Sequence, residues 1–189
     1  MKRALFALLL ALPLMTGPAQ AASFAEKNLT QLVTEAEQIF IGTVSSLASR
    51  KLANGAIVTD IAFSSPQVVK GADTGTSVTL LMLGGEVDGV RLEIPGLPVF
   101  RRDVRYLVFS AGNGRDMFPV VGGPGGLFQL RDDAAAGGVT VLAHSGEPLG
   151  RSIASEVLQG LSLPAQDPAS TSVTLAMFLA AIKAQLGQR

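Results

Sequence analysis

The sequence predicts a mainly β protein, an antiparallel barrel or sandwich, with one helix before the strands and one after them. Short runs rich in β-branched and aromatic residues are separated by turn signals such as Asn54-Gly55 and Gly84-Gly85, about every 8 to 12 residues. No stretch alternates strands with helices as a parallel α/β sheet requires. Hydrophobic residues make up 48% of the 189 residues and charged residues 16%, which excludes disorder for most of the chain.

Residues 1–21 have the pattern of a signal peptide. Lys2 and Arg3 precede an apolar run over residues 4–15, and Ala19-Gln20-Ala21 supplies a small-x-small cleavage site. The run is shorter than the about 20 apolar residues that a membrane-spanning helix needs. We therefore expect cleavage near Ala21 and a secreted or periplasmic bacterial protein, with no transmembrane anchor left after cleavage.

The β domain is expected to cover residues 22–145 and to begin with a helix over residues 28–37, capped by Asn28. Four apolar side chains in this stretch have the spacing of one helical face: Leu29, Leu32, Val33 and Ala36. The predicted strands cover residues 39–47, 56–69, 78–83, 87–94, 104–109, 117–121, 126–130 and 139–142.

Three of these strands carry further expectations. Pro66 cannot donate to a sheet ladder, so it implies an edge position or a bulge in the second strand. Residues 78–83 (VTLLML) are apolar on both faces, which predicts a central strand that is covered on both sides. In residues 87–94, alternation predicts three inward-facing side chains: Val90, Leu92 and Ile94.

The strands should share one core, either inside the barrel or on its covered outer face. The residues predicted to form it are Ile41, Val44, Ile61, Leu80, Met82, Leu92, Leu107 and Phe109.

The chain after the strands reads as two further segments. Residues 146–170 bear Pro, Gly and Ser and predict an irregular linker with a short helix over residues 153–161. Residues 171–189 predict a C-terminal helix, whose apolar stretch is too short for a membrane anchor. Its broad apolar face would consist of Val173, Met177, Leu179 or Ala180, Ile182 and Leu186.

Composition excludes several classes of function. The chain has no cysteine and a single histidine, so it offers no cysteine nucleophile, no disulfide and no zinc site with two His or Cys ligands. Loss of Lys2 and Arg3 with the leader would leave 13 basic against 15 acidic residues. A slightly acidic chain is not expected to bind nucleic acid through its phosphates.

His144 is the one residue on which acid–base chemistry at neutral pH could depend. It could act as a general base, or as a single metal ligand beside Asp132 and Asp133, or be an ordinary histidine in a turn. The last interpretation is favoured because no G-x-S-x-G elbow is present. Three serines in or beside strands gain no support as nucleophiles from their context: Ser45, Ser64 and Ser110.

The remaining motifs favour structural roles. Gly122-Gly123-Pro124-Gly125-Gly126 lacks the Lys-Ser/Thr of a phosphate-binding loop and predicts a tight turn. Arg101, Arg102 and Arg105 could grip an anion, but Asp103 lies among them and favours a solvated strand entrance. Glu86 and Asp88 flank a turn. We therefore predict no catalytic residue, no metal and no cofactor, and leave the ligand-binding residues open.

The order of motifs resembles a group of exported bacterial proteins. The motifs are IFIGTV, VVKG, Gly84-Gly85, PGLPVF, RYLVF, PVVGG and GGLFQL, within residues 29–130, with a weaker echo at residues 174–182. The same order loosely resembles the tissue inhibitors of metalloproteinases and netrin modules, which implies an OB-like barrel with flanking helices. Those inhibitors chelate the protease metal through an N-terminal cysteine, and this chain has none, so their inhibitory chemistry does not carry over.

These observations predict an exported, non-enzymatic binding or interaction protein of unknown ligand, whose partner is another exported protein. An inhibitor or accessory factor of a secreted protease is the alternative, and a hydrolase with an unrecognised site is the third. The sequence leaves the oligomeric state and the choice between barrel and sandwich open.

Overall fold

A computed structural model describes residues 24–73, 75–134, 138–160 and 172–187 of the chain. Its strands are β1 (Gln38–Lys51), β2 (Ile57–Lys70), β3 (Ser77–Leu83), β4 (Gly85–Val87), β5 (Val90–Leu92), β6 (Arg105–Ser110), β7 (Leu127–Asp133) and β8 (Gly138–Ala143). Its helices are α1 (Leu29–Glu35), α2 (Arg151–Gly160) and α3 (Leu175–Gly187). The predicted signal peptide lies outside the described residues, as does the predicted extension of the helices to residues 161, 171, 188 and 189.

The strands form one large antiparallel sheet and one small one. The large sheet has the order β3-β2-β1-β6-β7-β8, and β4 pairs with β5 separately. The prediction of a mainly β, antiparallel fold with an N-terminal and a C-terminal helix is therefore confirmed. The large sheet does not close into a barrel, since no ladder joins β3 to β8 in the described parts of the chain.

The long β1–β2 hairpin confirms two sequence predictions. Asn54 and Gly55 make its turn: the Asn54 side chain accepts a hydrogen bond from the Ala56 amide at 3.1 Å, and Gly55 has a φ of +86°. Near the far end, Ile41 pairs with Gln67 but Thr43 pairs with Ser64, so Ser65 and Pro66 lie opposite the single residue Gly42. Pro66 thus lies in a β-bulge with one extra residue in β2.

The prediction that residues 78–83 form a central strand is wrong, because β3 lies at the edge of the sheet. Its inward side chains, Val78, Leu80 and Met82, are buried, whereas Leu81 and Leu83 are only half-buried.

A loop over residues 111–119 covers the outer edge of β3. The Asn113 side-chain amide donates to the Thr79 carbonyl at 2.8 Å and accepts from the Leu81 amide at 3.1 Å. The Leu83 amide donates to the Met117 carbonyl at 2.7 Å. A side-chain amide can satisfy an exposed strand edge as a neighbouring peptide would. The backbone groups at the outer edge of β3 are therefore bonded without a second strand.

The same loop is tied to the start of β1. Glu37 accepts a hydrogen bond from the Gly112 amide at 3.1 Å and forms an ion pair with Arg115. The Gly112 amide and then Arg115 lower the pKa of the Glu37 carboxyl below its ordinary value, since both stabilise its charged form.

Residues 87–94 do not form the single strand that we predicted; they contain the turn and the second strand of a tight hairpin. Asp88 and Gly89 have φ angles of +51° and +75°, the left-handed pair that a two-residue hairpin turn requires. β4 and β5 flank this turn. Val90, which was expected to face inward, is consequently 61% exposed.

Residues 117–121 form a single bridge instead of the predicted strand. Val120 pairs with Ser110, and the Val121 amide donates to the Phe109 carbonyl at 2.9 Å. Gly122, with a φ of +66°, then turns the chain into a 3₁₀ turn over Gly123–Gly126. The tight turn predicted for the five-residue glycine motif is confirmed.

Two apolar cores occupy the two faces of the large sheet. The core on one face joins all three helices to β1, β6, β7 and β8, and Phe178 of α3 is fully buried in it. The other core joins β1, β2 and β3 to β6, β7, Phe100 and Val120. All the predicted core residues are buried except Leu92, which is half-buried. The prediction of one shared core is wrong, because the two faces of the open sheet are covered separately. The first core contains Ile41, Leu107 and Phe109, and the second contains Val44, Ile61, Leu80 and Met82. Phe178 was absent from the predicted apolar face of the C-terminal helix.

Lys70, in the predicted VVKG motif, holds α1 against the sheet. Its Nζ donates to the Val33 carbonyl at 2.7 Å and also to Ala36, at the C-terminus of the helix. Asn28 caps the other end and accepts from the Gln31 amide at 2.8 Å, as predicted. No helix in the described residues is long and apolar enough to cross a membrane.

Candidate ligand-binding cleft

A cleft of about 610 Å³ lies between the β4–β5 hairpin with the segment that follows it and the inner face of β1–β3. We call it the hairpin cleft. On the sheet side, it is lined by Leu47, Ile61 and Met82. On the hairpin side, it is lined by Leu92, Ile94, Leu97 and Val99, and Phe100 lines the cleft as well. Both sides are predominantly apolar.

Gly84 and Gly85 allow the hairpin to fold against β1 and β2. Gly85 has a φ of +132°, and a Cβ there would lie 2.4 Å from both the Ser49 and the Thr59 hydroxyl oxygens. Thr59 donates to the Gly84 carbonyl at 2.7 Å, and Ser49 accepts from the Glu86 amide at 3.3 Å. The glycine pair thus permits an approach that no larger residue could make.

Phe100 fixes the end of the segment that lines the cleft. Its ring packs edge-to-face on Phe63 and on Tyr106, with centroid separations of 5.8 and 5.3 Å. The Tyr106 hydroxyl accepts a hydrogen bond from the Arg101 amide at 3.2 Å. Burial raises the pKa of Tyr106, so this hydroxyl stays protonated at neutral pH.

The rim of the cleft carries one ion pair and one exposed valine. The Arg91 Nε lies 3.5 Å from a Glu93 carboxylate oxygen, and their side chains are 67% and 68% exposed. Val99 is 71% exposed. Such an exposed ion pair contributes little to stability.

His144 does not lie in this cleft. It is half-buried in the turn after β8, and its backbone carbonyl accepts a hydrogen bond from Gln129. Burial lowers the pKa of the ring below its ordinary value. Within the described residues, no serine or carboxylate side chain is hydrogen-bonded to the ring.

The three candidate serines all bond to backbone carbonyls of neighbouring strands. Ser45 donates to Ala62 at 3.1 Å, Ser64 to Thr43 at 3.4 Å and Ser110 to Gln38 at 3.3 Å.

The candidate charged residues are distributed over different elements. Arg105 forms an ion pair with Asp132 at 2.9 Å and lines a separate polar groove of about 470 Å³, while Arg101 and Arg102 are exposed in the preceding turn. The Nε of Arg105 is buried and has no hydrogen-bond partner among the described residues. Asp133 accepts from Thr140 at 3.4 Å.

Glu86 and Asp88 lie in the small β4–β5 hairpin, one in β4 and the other in its turn. Across the described ranges, no three His, Asp or Glu side chains converge as a metal site would require.

The sequence predicts the turn at the glycine pair but not the cleft that the pair helps to form. The lining residues come from the five strands β1–β5 and from the segment after β5, and they span 53 positions of the chain, from Leu47 to Phe100. The one local signal was Gly84-Gly85 followed by Asp88-Gly89, which marks a short hairpin.

Comparison of the chain with protein-family models, curated proteins and solved structures gives no match.

Proposed function

We propose that the protein is an exported binding protein that holds a small ligand in the hairpin cleft. The cleft carries this proposal: its volume of about 610 Å³ falls within the about 300–1,000 Å³ typical of ligand sites. Apolar side chains on opposite sides, with polar groups confined to the rim and one corner, match the usual composition of such sites. The ionisable side chains that line it, Arg91 and Glu93, are exposed and paired with each other, which favours binding over acid–base chemistry.

Export is supported by the leader pattern over residues 1–21 and by the resemblance of the motif order to exported bacterial proteins. We also propose that the sheet is an OB-like variant. In it, the loop over residues 111–119 would replace the ladder that closes such a barrel, because this loop bonds to β3 through Asn113 and Met117 and directly follows β6.

Filling the cleft tests the proposal. Leu47 is half-buried and lines the cleft, whereas Ala48 is the next residue of β1 and is exposed on the opposite face. We expect the protein to bind an apolar fluorescent probe such as N-phenyl-1-naphthylamine. Leu47→Trp should weaken that binding at least tenfold, because the larger side chain occupies the space, and Ala48→Trp should not. Equal probe binding by wild type and both variants would place the ligand elsewhere.

A further inference from the structure

We propose that the ligand of the hairpin cleft is a single-chain amphiphile with a hydrocarbon tail in the cleft and a head of no net charge at the Arg91–Glu93 rim. This inference rests on the proposed function and specifies its ligand class.

The two hydroxyl side chains that line the cleft, Ser49 and Thr59, offer no free hydrogen-bond donor. Thr59 gives its proton to the Gly84 carbonyl at 2.7 Å. In the Ser49–Thr59 contact of 3.0 Å, Ser49 must therefore be the donor, while it accepts from the Glu86 amide. Both hydroxyl protons are used within the protein, so a polar ligand group placed here would lose hydrogen bonds to water without gaining replacements.

Most of the other side chains that line the cleft are apolar. Leu47, Ile61 and Met82 face the ligand from the sheet, and Leu92 and Leu97 face it from the hairpin segment. The volume equals that of about twenty water molecules at about 30 Å³ each, which admits a dodecyl chain. The buried part of the ligand should therefore be a hydrocarbon chain.

The rim balances its own charge. Arg91 and Glu93 are the two charged side chains among the lining residues, and they lie 3.5 Å apart. Glu86 faces Arg91 across the β4–β5 ladder but does not line the cleft, so the charges of the lining side chains sum to zero. A head group with a net charge would be attracted by one member of this pair and repelled by the other, which lies only 3.5 Å away. A zwitterionic or uncharged head avoids this conflict.

Four dodecyl compounds, used below their micelle concentrations, separate the head groups. Displacement of N-phenyl-1-naphthylamine from the exported protein gives their affinities. Dodecylphosphocholine and dodecyl maltoside should bind at least tenfold more tightly than dodecyl sulfate and dodecyltrimethylammonium. The comparison of the first two shows whether the head is zwitterionic or uncharged. If either charged compound binds as tightly as the better neutral one, the inference is wrong.

Two rim variants test the role of the ion pair directly. Glu93→Gln leaves Arg91 uncompensated on the lining and should improve dodecyl sulfate binding several-fold, whereas Arg91→Gln should improve dodecyltrimethylammonium binding. Arg102→Gln removes an exposed arginine outside the cleft and should leave the ranking unchanged. An unchanged ranking in both rim variants would overturn the inference while leaving the cleft as a binding site. Failure of the probe and all four compounds to bind would instead contradict the proposed function.

Discussion

Lys70 is a half-buried lysine whose ammonium group bonds to the C-terminal end of α1. The last carbonyls of a helix have no partner within the helix, and here the Lys70 ammonium group bonds to those of Val33 and Ala36. Lys70→Met should therefore lower the free energy of unfolding by about 1.5–3 kcal/mol, the range for hydrogen bonds to charged groups. Urea denaturation measures the loss.

Lys51→Met is the matched control, because Lys51 is exposed at the end of β1. It should change stability by less than about 0.5 kcal/mol. Similar losses of stability in both variants would show that removal of a positive charge, rather than loss of the contact with α1, lowers the free energy of unfolding.

His144 should make stability depend on pH in one direction. Burial lowers its pKa in the folded protein, so the unfolded chain takes up the proton first as the pH falls. The stability that the neutral His144 ring contributes is fully present above the pKa of the unfolded chain, about 6.5. It is lost as the pH falls through the lower pKa of the folded protein. The unfolding free energy of wild type should thus fall more steeply between pH 7 and 5 than that of His144→Gln.

Because the chain has a single histidine, NMR titration of its ring protons reports this pKa without ambiguity. The ring lies outside the hairpin cleft, so His144→Ala should leave probe binding intact. A folded pKa at or above the ordinary value would contradict the stability argument. A large loss of a hydrolytic activity in His144→Ala would support the hydrolase alternative.

At the scale of elements, β3 combines an edge position with a buried inner face. Leu80 is fully buried at the centre of the core formed by β1–β3. Leu80→Ala should therefore lower the free energy of unfolding by about 2–5 kcal/mol, although none of the described strands pairs with the outer edge of β3. Chemical denaturation gives this value.

Leu81→Ala provides the comparison, since Leu81 follows Leu80 on the opposite face and is half-buried. Leu81→Ala should lower the free energy of unfolding by clearly less than Leu80→Ala does. If Leu80→Ala costs under about 1 kcal/mol, β3 does not contribute to the core as described.

The whole molecule should lose its leader when it is exported. Export should remove residues 1–21, because the apolar run is short and ends in a small-x-small site. Cleavage there retains Phe24, whose ring packs on Phe118 at 5.5 Å and over Gly123. Intact mass of the exported protein should match a chain that begins at Ala22. Retention of Met1 on most molecules would contradict both cleavage and localisation.

The cleft follows from the way the two faces of the large sheet are covered. The three helices cover one face around β1, β6, β7 and β8. On the other face, the cover over β1–β3 comes from an irregular segment anchored at Gly84 and Phe100. Between these anchors, the Gly84 carbonyl and the Glu86 amide bond to the Thr59 and Ser49 hydroxyls of the sheet. That leaves space above Ile61 and Met82.

The sequence alone determined the local features of this protein. Asn28 as a helix cap, Asn54-Gly55 as a hairpin turn and Pro66 as a bulge each act within a few residues, so their physical chemistry is legible in the chain. Alternation in the second strand likewise identified the buried residue Ile61, since a strand with one apolar face has one stable orientation.

Only the tertiary structure decided what lies beside each strand and what space remains. Residues 78–83 have the same apolar pattern whether a strand or the Asn113 side chain covers their edge, so position in the sheet could not be read from it. Val90 became exposed because the Asp88-Gly89 turn reversed the chain within the predicted strand. The hairpin cleft depends on residues from Leu47 to Phe100 meeting around a void, and an unfilled volume leaves no pattern in a linear sequence.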